Sequence, residues 1–220
     1  MIPLLIFDLD GTLVDSLRGI ADSLNRTLSC HGLPGHSDEN VRKFIGKGLK
    51  KLITQAVPDG SSIQTIDSAL SLFQRDYHLT WANGTAPYPG IQALLEQLQE
   101  EAHPLALLSN KAHDFTTQIV AHLFPSIRFE IVLGQLDGRP NKPDPAGAFE
   151  IAAHCQYPAA NCCLIGDSSI DIETAIRAGM RSVAVSWGYH DRERLLEHGD
   201  IGVVDHPHEL LTLLGHQARN

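Results

Sequence analysis

Residues 4–16 read LLIFDLDGTLVDS, an apolar run that stops abruptly at two carboxylates and a glycine. Leu4 to Phe7 have the composition of a strand buried on both faces, because no polar residue alternates with the apolar ones. Asp8 and Asp10 follow at i and i+2, so extended backbone points both side chains the same way. Two carboxylates brought together need a cation between them, or one of them must hold a proton. Gly11 permits a sharp turn, and Thr12 offers a hydroxyl and a main-chain N–H to an anion. The stretch predicts a buried strand that delivers paired acids and an anion-binding turn to one point.

The remainder of the chain indicates the sheet that holds this strand. From residue 90 onward short apolar runs alternate with helical periodicity. PLALLSN, FEIVLG, CCLIGD, SVAVSWG and IGVVD read as strands, the last an edge strand. IQALLEQLQEE, HDFTTQIVAHLF, DPAGAFEIAAHC, DIETAIRAG, DRERLLEHG and HELLTLLG read as helices, with Pro145 near a first turn and Gly179 at a helix end. Such alternation predicts an α/β fold with right-handed crossovers and a parallel sheet covered on both faces. Ligands bind such sheets outside the carboxyl ends of the strands. The polar residues Asp8, Ser109–Asn110 and Gly166–Asp167 all fall at predicted strand ends.

Residues 15–84 break the alternation and read as mainly helical. A segment of about 70 residues is too long for a simple loop. The expected organisation is a catalytic core of residues 1–14 and 85–220, with an all-helical cap of residues 15–84 inserted after the first strand.

Net charge is −9, which excludes a nucleic acid held through its phosphates but not a small anionic substrate met by a local cation. The four cysteines show no CxxC spacing and suit reduced thiols. The twelve histidines are scattered, without the spacing of a zinc site. Neither a signal peptide nor a membrane-spanning run is read, so the expectation is a soluble cytoplasmic protein, monomer or homodimer.

Three further motifs carry chemistry. In GDSSIDIETA, Asp167 ends a strand and Asp171 lies one helical turn on, a spacing that suits a hard cation and equally suits helix capping. In LLSNK, Ser109 and Asn110 can bind phosphate oxygens without adding charge, although such a pair also caps helices. In NKPDP, Lys142 is held between turn-forming residues, positioned to neutralise a carboxylate and an incoming phosphate.

In this order the four motifs resemble the haloacid dehalogenase-like hydrolase superfamily, over residues 1–14 and 85–215. The resemblance implies a Rossmann-like parallel sheet flanked by helices and magnesium-dependent phosphoryl transfer through an aspartyl-phosphate. Carried over by motif, it implies Asp8 as nucleophile and metal ligand, and Asp10 as acid/base with its main-chain carbonyl on the metal. Asp167 is then the remaining protein ligand, and Asp171 contacts the metal through water. Gly11, Thr12, Ser109, Asn110 and Lys142 hold the phosphate, Lys142 also steadying the charge. Dehalogenase members lack the second aspartate, whereas an alkoxide leaving group needs a proton and Asp10 can supply it. The pattern therefore resembles a phosphatase or a mutase.

Residues 41–53, VRKFIGKGLKKLI, lie in the expected cap and resemble phosphoglycolate phosphatases, whose substrate carries a carboxylate beside its phosphate. The implied substrate contacts are Arg42, Gly46 and Lys47, with a solvated basic helix face as the alternative. The resemblance also admits sugar phosphates, nucleotides, pyrophosphate and a sugar phosphomutase such as beta-phosphoglucomutase. A phosphoryl-accepting signalling receiver would be about half this length and would have no cap. The cap is expected to close over the core and exclude water.

Overall fold

The computed structural model describes residues 2–199 and 201–217. The chain begins with β1 (Leu4–Phe7) and the two-residue β2 (Val14–Asp15). It then forms α1 (Leu17–Cys30), α2 (Asp38–Phe44), α3 (Leu49–Ala56) and α4 (Ile63–Thr80), returning through β3 (Ala86–Pro87). The rest alternates: α5 (Ile91–Glu100), β4 (Leu105–Ala112), α6 (His113–Leu123), β5 (Phe129–Gln135), α7 (Ala146–His154), β6 (Cys162–Gly166) and α8 (Ser169–Ala178). β7 (Arg181–Val185), α9 (Arg192–Leu196), β8 (Gly202–Val204) and α10 (Pro207–Gln217) complete it.

Among the described residues six parallel strands form one sheet in the order β5-β4-β1-β6-β7-β8. The opening strand is therefore central, and its four residues show why it has no polar alternation. Leu4 and Ile6 pack with residues of α7 and α8 on one face, while Leu5 and Phe7 join the larger cluster on the other. All four are essentially inaccessible to solvent. β1 has β4 on one side and β6 on the other, so the chain reverses its winding direction beside β1. That reversal opens a crevice at the carboxyl ends of these three strands.

The segment between β1 and β3 folds as helices packed on one another. α1 buries Ile20, Ala21, Leu24 and Leu28, and α4 buries Ala69, Phe73 and Tyr77 at helical spacing, so both present one apolar stripe. Arg26 binds Asp76 at 2.6 Å, and the Ser23 and Thr80 hydroxyls lie 2.9 Å apart, fastening α1 to α4. α2 and α3 are separated because Gly46 and Gly48 adopt φ of 103° and 85°, where a helix cannot continue. The two linkers leaving and re-entering the core run side by side, with Val14 opposite Pro87 and Asp15 opposite Ala86. This small antiparallel ribbon is absent from the sequence expectation, because two-residue strands leave no periodic signal.

Candidate active site

The crevice collects side chains from the ends of β1, β4 and β6 and from the loop after β7. Asp8 directly follows β1, and its main-chain N–H donates to Ile165 O at 2.9 Å, continuing the ladder to the last residue before the turn. Residues 9–14 then fold back tightly, with the N–H groups of Leu13 and Val14 both donating to Leu9 O at 2.9 and 3.0 Å. Gly11 sits at φ 85°, and a β-carbon there would collide with the Asp167 carboxylate. A β-carbon at Gly188 would meet Asp167 and the Gly11 carbonyl, so two glycines make the room that Asp167 occupies.

Asp8, Asp167 and Asp171 each offer a carboxylate oxygen within 4.8 Å of the others. Lys142 is the buried cation among them, with Nζ 2.9 Å from Asp8 Oδ1 and 2.6 Å from Asp171 Oδ1. Its third contact is a 2.9 Å hydrogen bond to Leu108 O. Asp8 Oδ1 is buried against the Lys142 ammonium. Burial raises the Asp8 carboxyl to about 7, with Lys142 opposing and Asp171 adding to the rise. Burial likewise raises Asp167 well above the ordinary carboxylate range, reinforced by Asp171 and Asp8. Burial alone would discharge Lys142, but Asp171 and Asp8 outweigh it and hold the ammonium above its usual range.

Three carboxylates crowded within 4.8 Å around a single buried ammonium, offering only oxygen donors, fit a hard divalent cation. Asp171 has little left to offer one. Its Oδ2 accepts from the Ser168 main-chain N–H at 3.2 Å and hydroxyl at 2.5 Å, a capping box at the start of α8, while Oδ1 takes Lys142. The capping and charge-clustering readings of this motif are thus both present in one side chain.

Asp10 lies on the other side of the turn. Lys111 Nζ donates to its two oxygens at 3.1 and 3.2 Å, and the Ser16 hydroxyl donates to Oδ1 at 2.5 Å. Lys111 also donates to the Tyr77 hydroxyl at 2.9 Å, bringing α4 to the same point.

These carboxylates and lysines, on the carboxyl edge of a parallel sheet, match the family model described as haloacid dehalogenase-like hydrolase over residues 5–185. The chain belongs to the haloacid dehalogenase-like hydrolases. Among relatives in this family is the protein named phosphoglycolate phosphatase of Mesorhizobium japonicum, 30% identical over 97% of this chain and 99% of that one. The protein of the same name from Pseudomonas syringae pv. tomato is 31% identical over 92% of this chain and 76% of its own. The structure titled "predicted phosphoglycolate phosphatase" from Haemophilus somnus superposes with a TM-score of 0.90 at 27% identity, covering 96% of this chain and 97% of that one.

Within this member of the haloacid dehalogenase-like hydrolases, the residues singled out from sequence fall into two groups. Asp8, Asp10, Gly11, Thr12, Ser109, Asn110, Lys142, Asp167 and Asp171 converge on the crevice. Thr12 directs its hydroxyl to Asp167 Oδ1 at 3.4 Å, and Ser109 Oγ accepts the Lys111 main-chain N–H at 3.2 Å. The Asn110 side chain is fully engaged: its amide nitrogen donates to Gly46 O at 2.8 Å and Lys142 O at 2.9 Å, and its oxygen accepts from Lys142 N–H at 2.8 Å. It joins the α2–α3 loop to the loop that carries Lys142.

Arg42, Gly46 and Lys47 are distributed differently. Gly46 lines a cavity of about 70 Å³ above Asp8 and Asp10, but the Arg42 and Lys47 side chains do not. Arg42 donates to Gly188 O at 2.9 Å and Tyr189 O at 2.6 Å, and Lys47 is exposed.

Sequence reasoning missed Ser16, Tyr77, Lys111 and Tyr189. The Tyr189 main-chain N–H donates to Asp167 Oδ2 at 2.6 Å, and its hydroxyl accepts from Ser16 N–H at 2.9 Å. WGYH follows the strand after Asp167, so the strand-end rule reaches Tyr189, and SNK contains Lys111. Tyr77 belongs to an apolar helical stripe and carries no signal. No helix among the described residues is long and apolar enough to cross a membrane.

Proposed function

We propose that this chain is a cytoplasmic, magnesium-dependent phosphatase that hydrolyses 2-phosphoglycolate through an aspartyl-phosphate on Asp8. The observation that carries the reading is the Asp8 carboxylate in the crevice, 2.9 Å from the Lys142 ammonium and within 4.8 Å of Asp167 and Asp171, with Asp10 two residues on. The names of the relatives support the substrate. Four unpaired cysteines accord with a reducing compartment.

An Asp8 oxygen attacks phosphorus as the ester bond breaks, and Asp10 gives its proton to the departing alkoxide. Lys111 and Ser16 then hold the carboxylate so formed. Asp10 next takes a proton from the water that cleaves the acyl-phosphate, releasing phosphate and restoring Asp8. Lys142 offsets charge on Asp8 and on the phosphoryl oxygens throughout, while Ser109 and the Gly11–Thr12 turn offer donors to those oxygens. Magnesium, held by Asp8, Asp167 and the main-chain carbonyl of Asp10, supplies further charge neutralisation when bound.

The second reading, a phosphatase or mutase acting on a sugar phosphate, has the polar lining residues Tyr77, Ser109 and Asn110 in its favour, against the apolar wall of Phe44, Ile45, Leu49, Leu52 and Phe73. A panel of phosphate esters assayed with magnesium should rank 2-phosphoglycolate first by kcat/KM. A sugar phosphate, nucleotide or pyrophosphate in first place would displace this substrate.

A further inference from the structure

We propose that Lys111, backed by Tyr77, recognises the acid group of the substrate and selects acids borne on the carbon next to the ester oxygen. This deepens the phosphatase reading above and rests on it. Phe44, Ile45, Leu49, Leu52 and Phe73 give the cavity an apolar wall, while Lys111 brings an ammonium into the lining. Arg42 and Lys47, expected for this role, do not line the cavity, whereas Lys111 does, its ammonium shared with Asp10 and Tyr77. Arg42 spends its guanidinium on two main-chain carbonyls, and Lys47 lies outside the cavity.

The position of Lys111 sets the position of the acid. Its side chain is only 8% exposed, and Nζ lies 3.1 Å from Asp10 Oδ1. If Asp10 protonates the departing oxygen, that oxygen sits against Asp10 and therefore beside Nζ. In a 2-hydroxy-acid ester such as 2-phosphoglycolate, the carboxylate oxygens lie roughly 3 Å from the ester oxygen, within reach of the same ammonium. One further methylene lengthens the span between the ester oxygen and the acid, so with the ester oxygen held at Asp10 the acid no longer falls on the same ammonium. Tyr77 holds Lys111 in place from the cap side, through a 2.9 Å hydrogen bond and a ring face 4.7 Å from Nζ. Recognition of the acid is then shared between core and cap.

The test compares 2-phosphoglycolate, ethyl phosphate and the phosphate ester of 3-hydroxypropanoate with magnesium present. The wild-type enzyme should favour 2-phosphoglycolate over each of the others by ~10-fold or more in kcat/KM, the scale of one charge-assisted hydrogen bond. Lys111→Met should lower kcat for both esters, because the cation at Asp10 is lost, and should in addition collapse the preference over ethyl phosphate by ~10-fold or more. Because Lys111 also touches Asp10, calorimetric affinities of 2-phosphoglycolate and ethyl phosphate for Asp8→Asn and for Asp8→Asn/Lys111→Met give the same comparison without turnover. A preference that survives in the Lys111→Met proteins overturns the inference and leaves the phosphatase reading intact. Equal wild-type kcat/KM for the two acid esters also overturns it, and needs no variant. A wild-type enzyme indifferent among all three esters overturns the proposed substrate itself.

Discussion

Lys142 Nζ lies 2.6 Å from Asp171 Oδ1, with both side chains nearly inaccessible to solvent. Asp171 is itself fixed by Ser168 at the first turn of α8, so a helix cap determines where the lysine beside Asp8 stands. The ammonium then reaches Asp8 with its position already settled. A positioned charge is worth more to a transition state than a mobile one, because nothing reorganises as the reaction proceeds.

Removing Lys142 should cost stability as well as turnover. Lys142→Met leaves Asp8 and Asp171 buried without their cation, and breaking a buried pair in this way costs about 3–5 kcal/mol. Urea denaturation of the metal-free protein should show that loss, with part of it recovered in Lys142→Met/Asp171→Asn. An unchanged midpoint in the single variant would mean that the pair is not a structural element.

Asp8→Asn removes the proposed nucleophile while keeping its shape. Turnover of any phosphomonoester should fall by at least about 10³-fold, within the range for loss of a covalent catalyst, and circular dichroism should be unaltered. Hydrolysis at the wild-type rate would assign attack to another group.

The raised Asp8 carboxyl gives a signed pH dependence. In the metal-free protein Asp8 keeps its proton up to about 7, whereas the unfolded chain releases it near 3.8. Between these values the folded state holds more protons, so the Asp8 contribution to stability is present at low pH and lost as pH rises toward 7. A cation binds the ionised form and compensates for that loss. The increase in melting temperature on adding magnesium should therefore grow from about pH 5.5 to pH 8. An increment independent of pH would disconnect Asp8 from the metal.

Arg42 fastens α2 to the loop after β7, close to the Tyr189 N–H that holds Asp167. Arg42→Ala should thus lower kcat/KM for charged and uncharged esters by similar factors, on the order of 10-fold for loss of two charge-assisted hydrogen bonds. A drop confined to carboxylate-bearing substrates would return Arg42 to direct substrate contact.

Much of the site was legible from local rules. Leu4–Phe7 lack alternation because both faces of β1 are covered, and Asp8 and Asp167 stand together because each directly follows one of two neighbouring strands. Ser109 and Asn110, expected at a strand end, instead lie inside β4, which runs on to Ala112. Gly11 was legible as a turn residue, but its second task, leaving room for Asp167, depends on a contact between residues far apart in the chain. Asn110 shows the same limit: its place on a strand was readable, whereas its use as a clamp between Gly46 and Lys142 was not.

From the sequence alone came the parallel α/β core, the paired aspartates and the strand ends that present them, since period, turn chemistry and strand-end placement are properties of short segments. The pairing of Lys142 with the carboxylate of Asp8 was an expectation from sequence, but tertiary structure alone decided the rest: Lys142 also meets Asp171, Lys111 went to Asp10, and Arg42 to two carbonyls. Long cationic side chains pair with whatever the packed helices bring within reach, and that depends on how the inserted helices settle on the sheet rather than on any local pattern.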